Sequence, residues 1–284
     1  MHLKFIIAIV FVWILNTSFD NSPIDGAHVL EQVFLRNKTM QKVSVTIHMK
    51  ERFGNKMLDK QSVFKIEYNP MKIYLKQQFP DPQFEVLFIE GQNDNKAIVN
   101  PNSFPWMILK LDPLGSIMRK DNHHSIYASG YSFFIDVLEH LYDKYKGNFN
   151  SMLTYEGLTQ YSGVECHKIV VNLPNFVYIP YKVQPGENLE ILAHKFFISD
   201  YMVMEKNPEI KSFEELKAGT TIMIPSDYAK VFILLIDAKN FTPVTAKIYD
   251  DKGLYEEYDY LNVNLSPSFT NLDFDRNNPT YGFK

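Results

Sequence analysis

Short runs in which apolar and polar residues alternate recur along this sequence. In "KVSVTIHMKERF" (residues 42–53), Val43, Val45, Ile47 and Met49 are separated by polar or charged side chains. Because successive side chains of a strand point to opposite faces, this pattern predicts a strand with one buried face. Further runs follow in "QSVFKIEY", "MKIYLKQQF", "FEVLFIEG" and "NKAIVN", separated by the turn sequences "NP", "PDP" and "GQNDN". The sequence therefore predicts an antiparallel meander.

Two longer segments have helical spacing instead. In "SPIDGAHVLEQVFLRN" we expect Ser22 to cap a helix and Pro23 to lie in its first turn, and "SGYSFFIDVLEHLYDKYKG" predicts a second helix that stops at Gly147. Strands resume in "VECHKIVVNL", "KVFILLIDA" and "PVTAKIYDDKGLYEEYDYLNVNL", with "DDKG" as a hairpin turn. The predicted class is α+β, an antiparallel half-barrel sheet with covering helices.

The N-terminus predicts export. An apolar run of eleven residues, "FIIAIVFVWIL", follows "MHLK". It is too short to span a bilayer, which takes ~20 residues, and it matches the core of a secretory signal peptide ending near residue 18. The predicted location is the periplasm or cell envelope, with association with the outer membrane as a further option. An uncleaved anchor is the alternative, because the residues before Ser18 suit cleavage poorly.

Composition excludes several classes of partner and site. The formal charge of -4, with scattered basic residues, gives no basis for binding nucleic acid. Cys166 is the only cysteine, so an internal disulfide and a cysteine-based zinc cluster are both excluded. We expect Cys166 to lie in the core, the alternative being a catalytic thiol.

Residues 181–226 interrupt the strand-rich pattern. After a turn at "QPGEN", Asn188 is placed to cap one short helix and Ser199 to cap a second, which ends before Pro208. A short strand, "TTIMIP", follows. The order strand, helix, helix, strand describes a small module whose ends lie close together, so it can be inserted at a turn of a larger sheet.

This segment resembles the LysM domain, a glycan-binding module of bacterial cell-wall proteins. The matching residues are Tyr181, Val183, Pro185, Gly186, Leu189, Ala193, Phe196, Asn207, Pro208, Ile210, Leu216, Gly219, Ile222, Ile224 and Pro225. Phe197 departs from the pattern, because a glycine often ends the first helix there.

The resemblance implies a partner, peptidoglycan or a related N-acetylglucosamine polymer, bound in a groove between two loops. The implied glycan-binding residues are Gly186, Glu187, Asn188 and Leu189 in one loop and Pro208, Glu209, Ile210 and Lys211 in the other. Backbone groups would meet the acetamido group while Leu189 and Ile210 cover its methyl. The alternative is a module that has lost glycan binding and serves as a spacer.

The flanking sequence resembles a family of exported bacterial proteins with a fold like that of LolA and LolB, the carrier and receptor of lipoprotein localisation. The residues carrying this resemblance are "NKAIVNPNSFPWMILKLDPLGSIMRKDNHHSIYASGYSFF", "VTAKIYDDKGLYEEYDYLNVNL" and "LDFDRNNPTYGF". It implies an apolar half-barrel cavity that holds a lipid or lipoprotein acyl chain. A filled interior is the alternative. The expected domains are a signal peptide (1–18), the host (19–178 and 227–284) and the LysM domain (179–226).

Three polar clusters could carry chemistry. His123 and His124 suggest a metal ligand or base, with a hydrogen-bonding pair favoured. Asp273 and Asp275 suggest calcium, with a solvated edge or a salt bridge to Arg276 favoured. Glu256, Glu257 and Asp259 interleave with tyrosines, which suggests a paired-carboxylate glycosidase, with an exposed strand favoured.

No metal, cofactor or catalytic residue is predicted. The first functional hypothesis is a non-enzymatic envelope protein that holds peptidoglycan through its LysM domain and a lipid through its host domain. The alternatives are a lipid or lipoprotein carrier with a vestigial LysM domain and a wall-remodelling enzyme.

Overall fold

A computed structural model describes residues 25–283 of the chain. An eleven-stranded, fully antiparallel sheet forms its body. Its strands are β1 (Lys42–Phe53), β2 (Lys56–Glu67), β3 (Lys72–Phe79), β4 (Glu85–Ile89), β5 (Ala97–Asn100), β6 (Leu109–Leu111), β7 (Leu153–Tyr161), β8 (Val164–Asn172), β11 (Val231–Asp237), β12 (Pro243–Asp250) and β13 (Gly253–Asn264). In the sheet they lie in the order β6-β5-β4-β3-β2-β1-β13-β12-β11-β8-β7. The predicted mostly antiparallel sheet is confirmed.

Two helices cover one face of this sheet. Helix α1 (Gly26–Thr39) packs against α3 (Ser132–Lys144), and both contribute to the main core, while a single turn, α2 (Ser116–Arg119), lies between β6 and α3. The cap of α1 differs from the prediction. The Asp25 side chain accepts a hydrogen bond from the His28 N–H, so the helix begins at Gly26; Ser22 and Pro23, like the predicted signal peptide, lie outside the described residues.

The strands on the two sides of the interruption pair directly. β8 and β11 are antiparallel neighbours in continuous register from Cys166 opposite Asp237 to Asn172 opposite Val231. The chain thus leaves and re-enters the sheet at adjacent strands. This is what allows the intervening residues to form a separate unit without breaking the ladder.

The intervening segment contains β9 (Tyr178–Lys182), α4 (Leu189–Phe196), α5 (Asp200–Lys206) and β10 (Thr221–Pro225), and β9 pairs only with β10. We call these residues, 178–225, the insert. Both predicted caps are confirmed, since the side chains of Asn188 and Ser199 accept hydrogen bonds from the N–H groups of Ile191 and Met202. A small core of its own holds the insert together.

Phe197 ends α4 in the left-handed conformation, with φ +51°. An L residue rarely adopts this conformation, because its Cβ crowds the backbone. The Phe197 ring stacks on His140 of α3, with ring centroids 4.4 Å apart. A side chain where a glycine was expected therefore packs the insert against the host.

Two strands escaped the prediction. β7 lies at an edge of the sheet, and its side chains alternate between partly exposed and exposed. The strand therefore has no buried face, and its sequence shows only weak alternation of apolar and polar residues. β6 has three residues and gives no periodicity. Among residues 25–283, no helix is both long enough and apolar enough to span a membrane.

Candidate functional site

A cavity of about 500 Å³ lies between the sheet and the chain segment that covers it. β1 to β5 form its floor, and residues 111–134, from the end of β6 to the start of α3, form its wall. The volume is within the range of about 300–1,000 Å³ that small-molecule sites occupy. A filled interior, the alternative to a half-barrel cavity, is thus excluded for this end of the molecule.

Most of the lining is apolar. Every second side chain of strands β1 to β4 points toward the cavity, because successive side chains of a strand lie on opposite faces. The residues at these positions are mainly aliphatic and aromatic. The apolar lining includes Ile47, Met49, Phe64, Leu75, Phe84, Val86, Val99, Leu109, Leu111, Met118, Ile126, Phe133 and Phe134. Such a surface can hold a hydrocarbon chain without specific polar contacts.

Glu51 and Lys60 make part of the cavity lining polar, and we call this part the polar end of the cavity. A second glutamate faces Glu51 there. Glu51 of β1 is paired with Glu256 of β13, and their relative exposures are 3% and 0%. The Lys60 ammonium binds Glu51 Oε2 at 2.6 Å and also donates to Asp121 O and Asn122 Oδ1. A buried carboxylate is stable only when it is paired in this way.

His123 compensates the second glutamate. Its Nε2 lies 2.8 Å from Arg52 O, a carbonyl that can only accept, so Nε2 carries a proton. Its Nδ1 lies 2.7 Å from Glu256 Oε1. With Glu256 ionised, Nδ1 donates to it as well, and the ring is sandwiched between Tyr201 and Tyr255.

His124 completes the network. Its Nε2 lies 3.1 Å from Glu256 Oε1 and 2.9 Å from the Tyr228 hydroxyl, which in turn donates to Glu256 Oε2. The predicted hydrogen-bonding pair is therefore confirmed, with Glu256 as the shared partner. We call Glu51, Lys60, His123, His124, Tyr228 and Glu256 the buried network.

Positive charges within the buried network lower the pKa of its two glutamates. Burial raises the pKa of Glu256, but the charges of His124 and His123 and their hydrogen bonds outweigh burial and lower it to about 2. Burial likewise opposes ionisation of Glu51, but the Lys60 ammonium and the two histidines lower its pKa. For His124, the attraction of Glu256 outweighs burial and raises the pKa.

The pKa shifts of Glu51 and Glu256 can be compared with what a glycosidase requires. A glycosidase needs one carboxyl group that stays protonated to serve as the acid, hence a raised pKa. Both paired carboxylates have a lowered pKa instead. The favoured alternative, an exposed strand, is wrong, because Glu256 and Glu257 are buried near the centre of the sheet.

A metal ion would have to compete with the protein's own cations. Glu51, His123 and Glu256 each offer a ligand atom, and these atoms lie within 4.8 Å of one another. Binding there would displace Lys60 from Glu51 and the proton between His123 and Glu256. The charges already balance, so we assign the group as an internal ion-pair network.

Exposed apolar side chains lie next to residues that line the cavity. In the β5–β6 loop, Phe104, Trp106 and Met107 have relative exposures of 85%, 77% and 58%, and Ile117 of α2, which also lines the cavity, is 67% exposed. Pro101 and Ser103 of the same loop line the cavity. We call Phe104, Trp106, Met107 and Ile117 the apolar rim.

A buried ion pair connects the cavity wall to the insert. Arg119 of α2 binds both oxygens of Asp200 of α5, at 2.7 and 2.9 Å, and its guanidinium lies 3.9 Å from the centre of the Phe213 ring. Arg119 also donates to His123 O. Wall, network and insert therefore share one set of contacts.

The residues predicted to bind glycan lie in two neighbouring loops of the insert. Leu189 N–H donates to Phe213 O at 3.2 Å, which ties the first loop to the chain that follows the second. Pro208, Glu209 and Lys211 are exposed, as is Gly186, while Glu187, Asn188 and Ile210 are partly exposed. Asn188 is committed to its cap and Glu187 to Tyr181 and Lys195.

Leu189 corrects the prediction. Its side chain is fully buried in the core of the insert, because it is the first residue of α4 and lies on the apolar face of that helix. It therefore cannot cover a sugar methyl, whereas Ile210 remains partly exposed.

Two other sequence expectations have clear outcomes. Cys166 is buried as expected, and burial raises the pKa of its thiol to about 11. Asp273 pairs with Lys65 of β2 at 2.7 Å, so the salt bridge assigned to Arg276 is wrong. The C-terminal segment folds back onto the sheet, which brings Lys65 close.

Sequence reasoning missed Glu51 and Lys60. A signal was present, since both charges occupy positions that alternation assigns to the inward face of β1 and β2. A charged residue in such a register position predicts a buried ion pair, but only the sheet register identifies its partner.

Distant similarity to solved structures extends over most of the chain. A DUF1329 family protein from Desulfovibrio piger is 10% identical, covering 88% of this chain and 96% of that one, with a TM-score of 0.35. Lipoprotein LppX from Mycobacterium tuberculosis is 14% identical, covering 86% and 100%, with a TM-score of 0.39. For the Pseudomonas aeruginosa MucA/MucB complex the identity is 11%, the coverage 87% and 59%, and the TM-score 0.39.

A comparison with curated proteins found no match. A family model described as "Protein of unknown function (DUF1571)" matches residues 40–177 and 204–283. The unmatched stretch between them contains β9, α4 and the first half of α5. Because the two matched segments cover most of the chain, this protein belongs to the DUF1571 family.

Proposed function

We propose that this protein is a non-enzymatic binding protein of the bacterial cell envelope that holds the acyl chain of a lipid or lipoprotein in its cavity. The cavity between the sheet and residues 111–134 is the observation that supports this role. Each CH₂ group moved out of water contributes about 0.8 kcal/mol, so an apolar channel alone gives substantial affinity.

The apolar rim supports loading from a lipid surface. Large exposed apolar patches on soluble proteins mark interaction sites, and Trp and Phe suit the boundary between water and hydrocarbon. The rim adjoins the cavity, because Ile117 of the rim and Pro101 and Ser103 of the same loop line it. An acyl chain can pass from a membrane into the cavity there without crossing open water. Export, inferred from the apolar N-terminal run, fits this role.

Filling the cavity tests the acyl-chain role. Leu75 lines the cavity and is partly exposed into it, so Leu75→Trp occupies the space of a bound chain. We expect the purified wild-type protein to yield acyl lipids on organic extraction and mass spectrometry. Leu75→Trp yields less than a tenth as much, because overpacking excludes the chain.

Leu158→Trp is the matched control, since Leu158 is 55% exposed on β7, remote from the cavity in the sheet order. Wild-type protein that carries no lipid and binds none from added vesicles would contradict the acyl-chain role.

A second function is favoured by the insert. We propose that residues 179–226 form a LysM domain that binds peptidoglycan, with residues 1–18 as the signal peptide and 19–178 and 227–284 as the host. The strand, helix, helix, strand order and the two helix caps support this assignment. The binding groove then uses Gly186, Glu187 and Asn188 with Pro208, Glu209, Ile210 and Lys211, and uses only the backbone of Leu189.

Pelleting with isolated sacculi tests the glycan role. Ile210→Asp with Gly186→Trp should abolish pelleting, because the first change removes the apolar contact and the second blocks the loop. Ala218→Trp is the control, since Ala218 is exposed in the turn before β10. Pelleting retained by the double variant removes the groove, and absence of pelleting by the wild type removes glycan binding.

A further inference from the structure

Two polar groups that line the cavity have hydrogen-bonding capacity left over. His124 uses Nε2 for Glu256 and Tyr228, and within residues 25–283 its Nδ1 has no hydrogen-bond partner. Ser62 of β2 lines the same cavity, and its hydroxyl has no partner in the described chain. Polar atoms that lack a protein partner at the wall of a cavity are available to bind a polar ligand atom.

The hydrogen bonds also fix the charge of this end. Glu51 and Glu256 contribute two negative charges, and Lys60 and the doubly donating His123 contribute two positive charges. The network is therefore neutral without His124. A proton on His124 Nδ1 gives the buried network one positive charge in excess. The other charged side chains that line the cavity are exposed to solvent: Asp59, Asp81, Lys120 and Asp121.

The carboxylates of the insert that lie near His124 form hydrogen bonds with other residues. His124 also borders a small space lined by Glu190, His194 and Asp200 of α4 and α5. Asp200 binds Arg119, and Glu190 accepts from Ser125 and His194. From the sheet and α3, the rings of Tyr258 and Phe133 lie near His124, and neither carries a charge.

We propose that the polar end of the cavity binds the anionic head group of a single-chain lipid, with His124 Nδ1 and the Ser62 hydroxyl as its hydrogen-bond donors. This specificity rests on the proposed acyl-chain role, since the tail occupies the apolar end beyond Phe64 and Leu75. The sheet register supports the geometry. Ser62 is two residues from Lys60 on the inward face of β2, between the buried network and Phe64.

Displacement of a neutral fluorescent probe, N-phenyl-1-naphthylamine, by lipids with the same tail tests the proposal. Palmitic acid, cetyl phosphate and cetyl alcohol share a chain and differ in their heads. A charge-assisted hydrogen bond adds enough affinity that we expect at least one anion to displace the probe at a concentration about tenfold lower than the alcohol. Preference for palmitic acid indicates a fatty acid ligand, and preference for cetyl phosphate indicates a phosphate head.

Other outcomes separate this inference from the acyl-chain role. Equal displacement by the anions and the alcohol overturns head-group recognition and leaves acyl-chain binding standing, and stronger displacement by cetyltrimethylammonium overturns the sign of the charge. Failure of every lipid to displace the probe overturns both.

Variants then locate the contact. His124→Gln should lose the preference for the anion while keeping the affinity for the alcohol, and Ser62→Ala should reduce the preference about threefold or more. His140→Gln is the control, because His140 contacts Phe197 rather than the cavity. An undiminished preference in His124→Gln overturns the assignment. If that variant does not fold, Ser62→Ala and the wild-type comparison of head groups decide.

Discussion

Glu51 of β1 and Glu256 of β13 are directly paired at the centre of the sheet, and both side chains are buried. Like charges opposite each other on neighbouring strands destabilise a sheet, and burial increases the cost. Lys60, His123 and His124 compensate these charges, so the stability of the sheet depends on cations contributed by β2 and by the cavity wall.

Lys60→Met tests this dependence. Removing the ammonium leaves Glu51 charged and buried, and breaking one partner of a buried pair costs about 3–5 kcal/mol in the free energy of unfolding. Urea denaturation measures the loss. Lys50→Met is the control, since Lys50 is partly exposed and lies 3.7 Å from Glu257; it should cost about 1 kcal/mol or less. Adding Glu51→Leu to Lys60→Met should recover most of the loss, and no recovery would refute the ion-pair assignment.

The acid limb of stability should depend on Glu256. Its pKa is lowered from 4.5 to about 2, so its contribution is present above pH 4.5 and is lost as the pH falls from 4.5 to about 2. One pKa unit corresponds to about 1.4 kcal/mol, so the contribution is on the order of 3 kcal/mol. Glu256→Gln should be less stable at neutral pH and show a flatter slope over this window in urea titrations. Exposed Glu215→Gln should keep the wild-type slope; an unchanged slope in Glu256→Gln would contradict the assignment.

Gly130 is constrained twice where the cavity wall meets α3. Its φ is +87°, and a Cβ there would lie 2.6 Å from Tyr68 Oη and 2.8 Å from Ile66 Cδ1. Gly157 has nearly the same φ, +86°, and no neighbour within 4 Å, so it isolates the backbone cost. We expect Gly157→Ala to lower the free energy of unfolding by about 1–2 kcal/mol and Gly130→Ala by a further 1–3 kcal/mol. If thermal or urea denaturation shows that the two variants lose the same free energy of unfolding, the cavity wall shifts to accommodate the added Cβ at Gly130.

Serine substitution of the apolar rim should separate lipid transfer from lipid affinity. Replacing Phe104, Trp106 and Met107 by serine removes several kcal/mol of apolar contact with a bilayer, so transfer of a fluorescent fatty acid to vesicles should slow about tenfold or more. Affinity in solution should change less than about threefold, since these side chains lie outside the cavity. Leu158→Ser is the control. Unchanged transfer rates would assign the rim to another partner.

Arg119→Met tests the attachment of the insert. It leaves Asp200 buried without its partner, so the contact between α2 and α5 should loosen at a cost of about 3–5 kcal/mol. We expect limited proteolysis to cut the junctions near residues 177 and 226 at least tenfold faster than in the wild type. Lys252→Met, which breaks the more exposed pair with Glu205, is the control. Equal cleavage rates in wild type and Arg119→Met would show that other contacts hold the insert.

Local patterns in the sequence determined most of the elements and the caps of α4 and α5. Alternation predicted β1, the spacing of apolar residues predicted α3, and Asn188 and Ser199 marked the starts of α4 and α5. These features depend on interactions within a few residues, and such interactions are encoded by neighbouring letters.

Tertiary structure decided the partners. Glu256 meets His123 across 133 residues of chain, and Arg119 meets Asp200 across 81. β13 also shifts register between Ile248 and Tyr249 of its neighbour, where Tyr255 and Glu256 both contact His123. Alternation tells which face a side chain occupies but not which strand lies beside it. The burial of two opposed carboxylates and the cavity beside them therefore follow only from the order and register of the folded sheet.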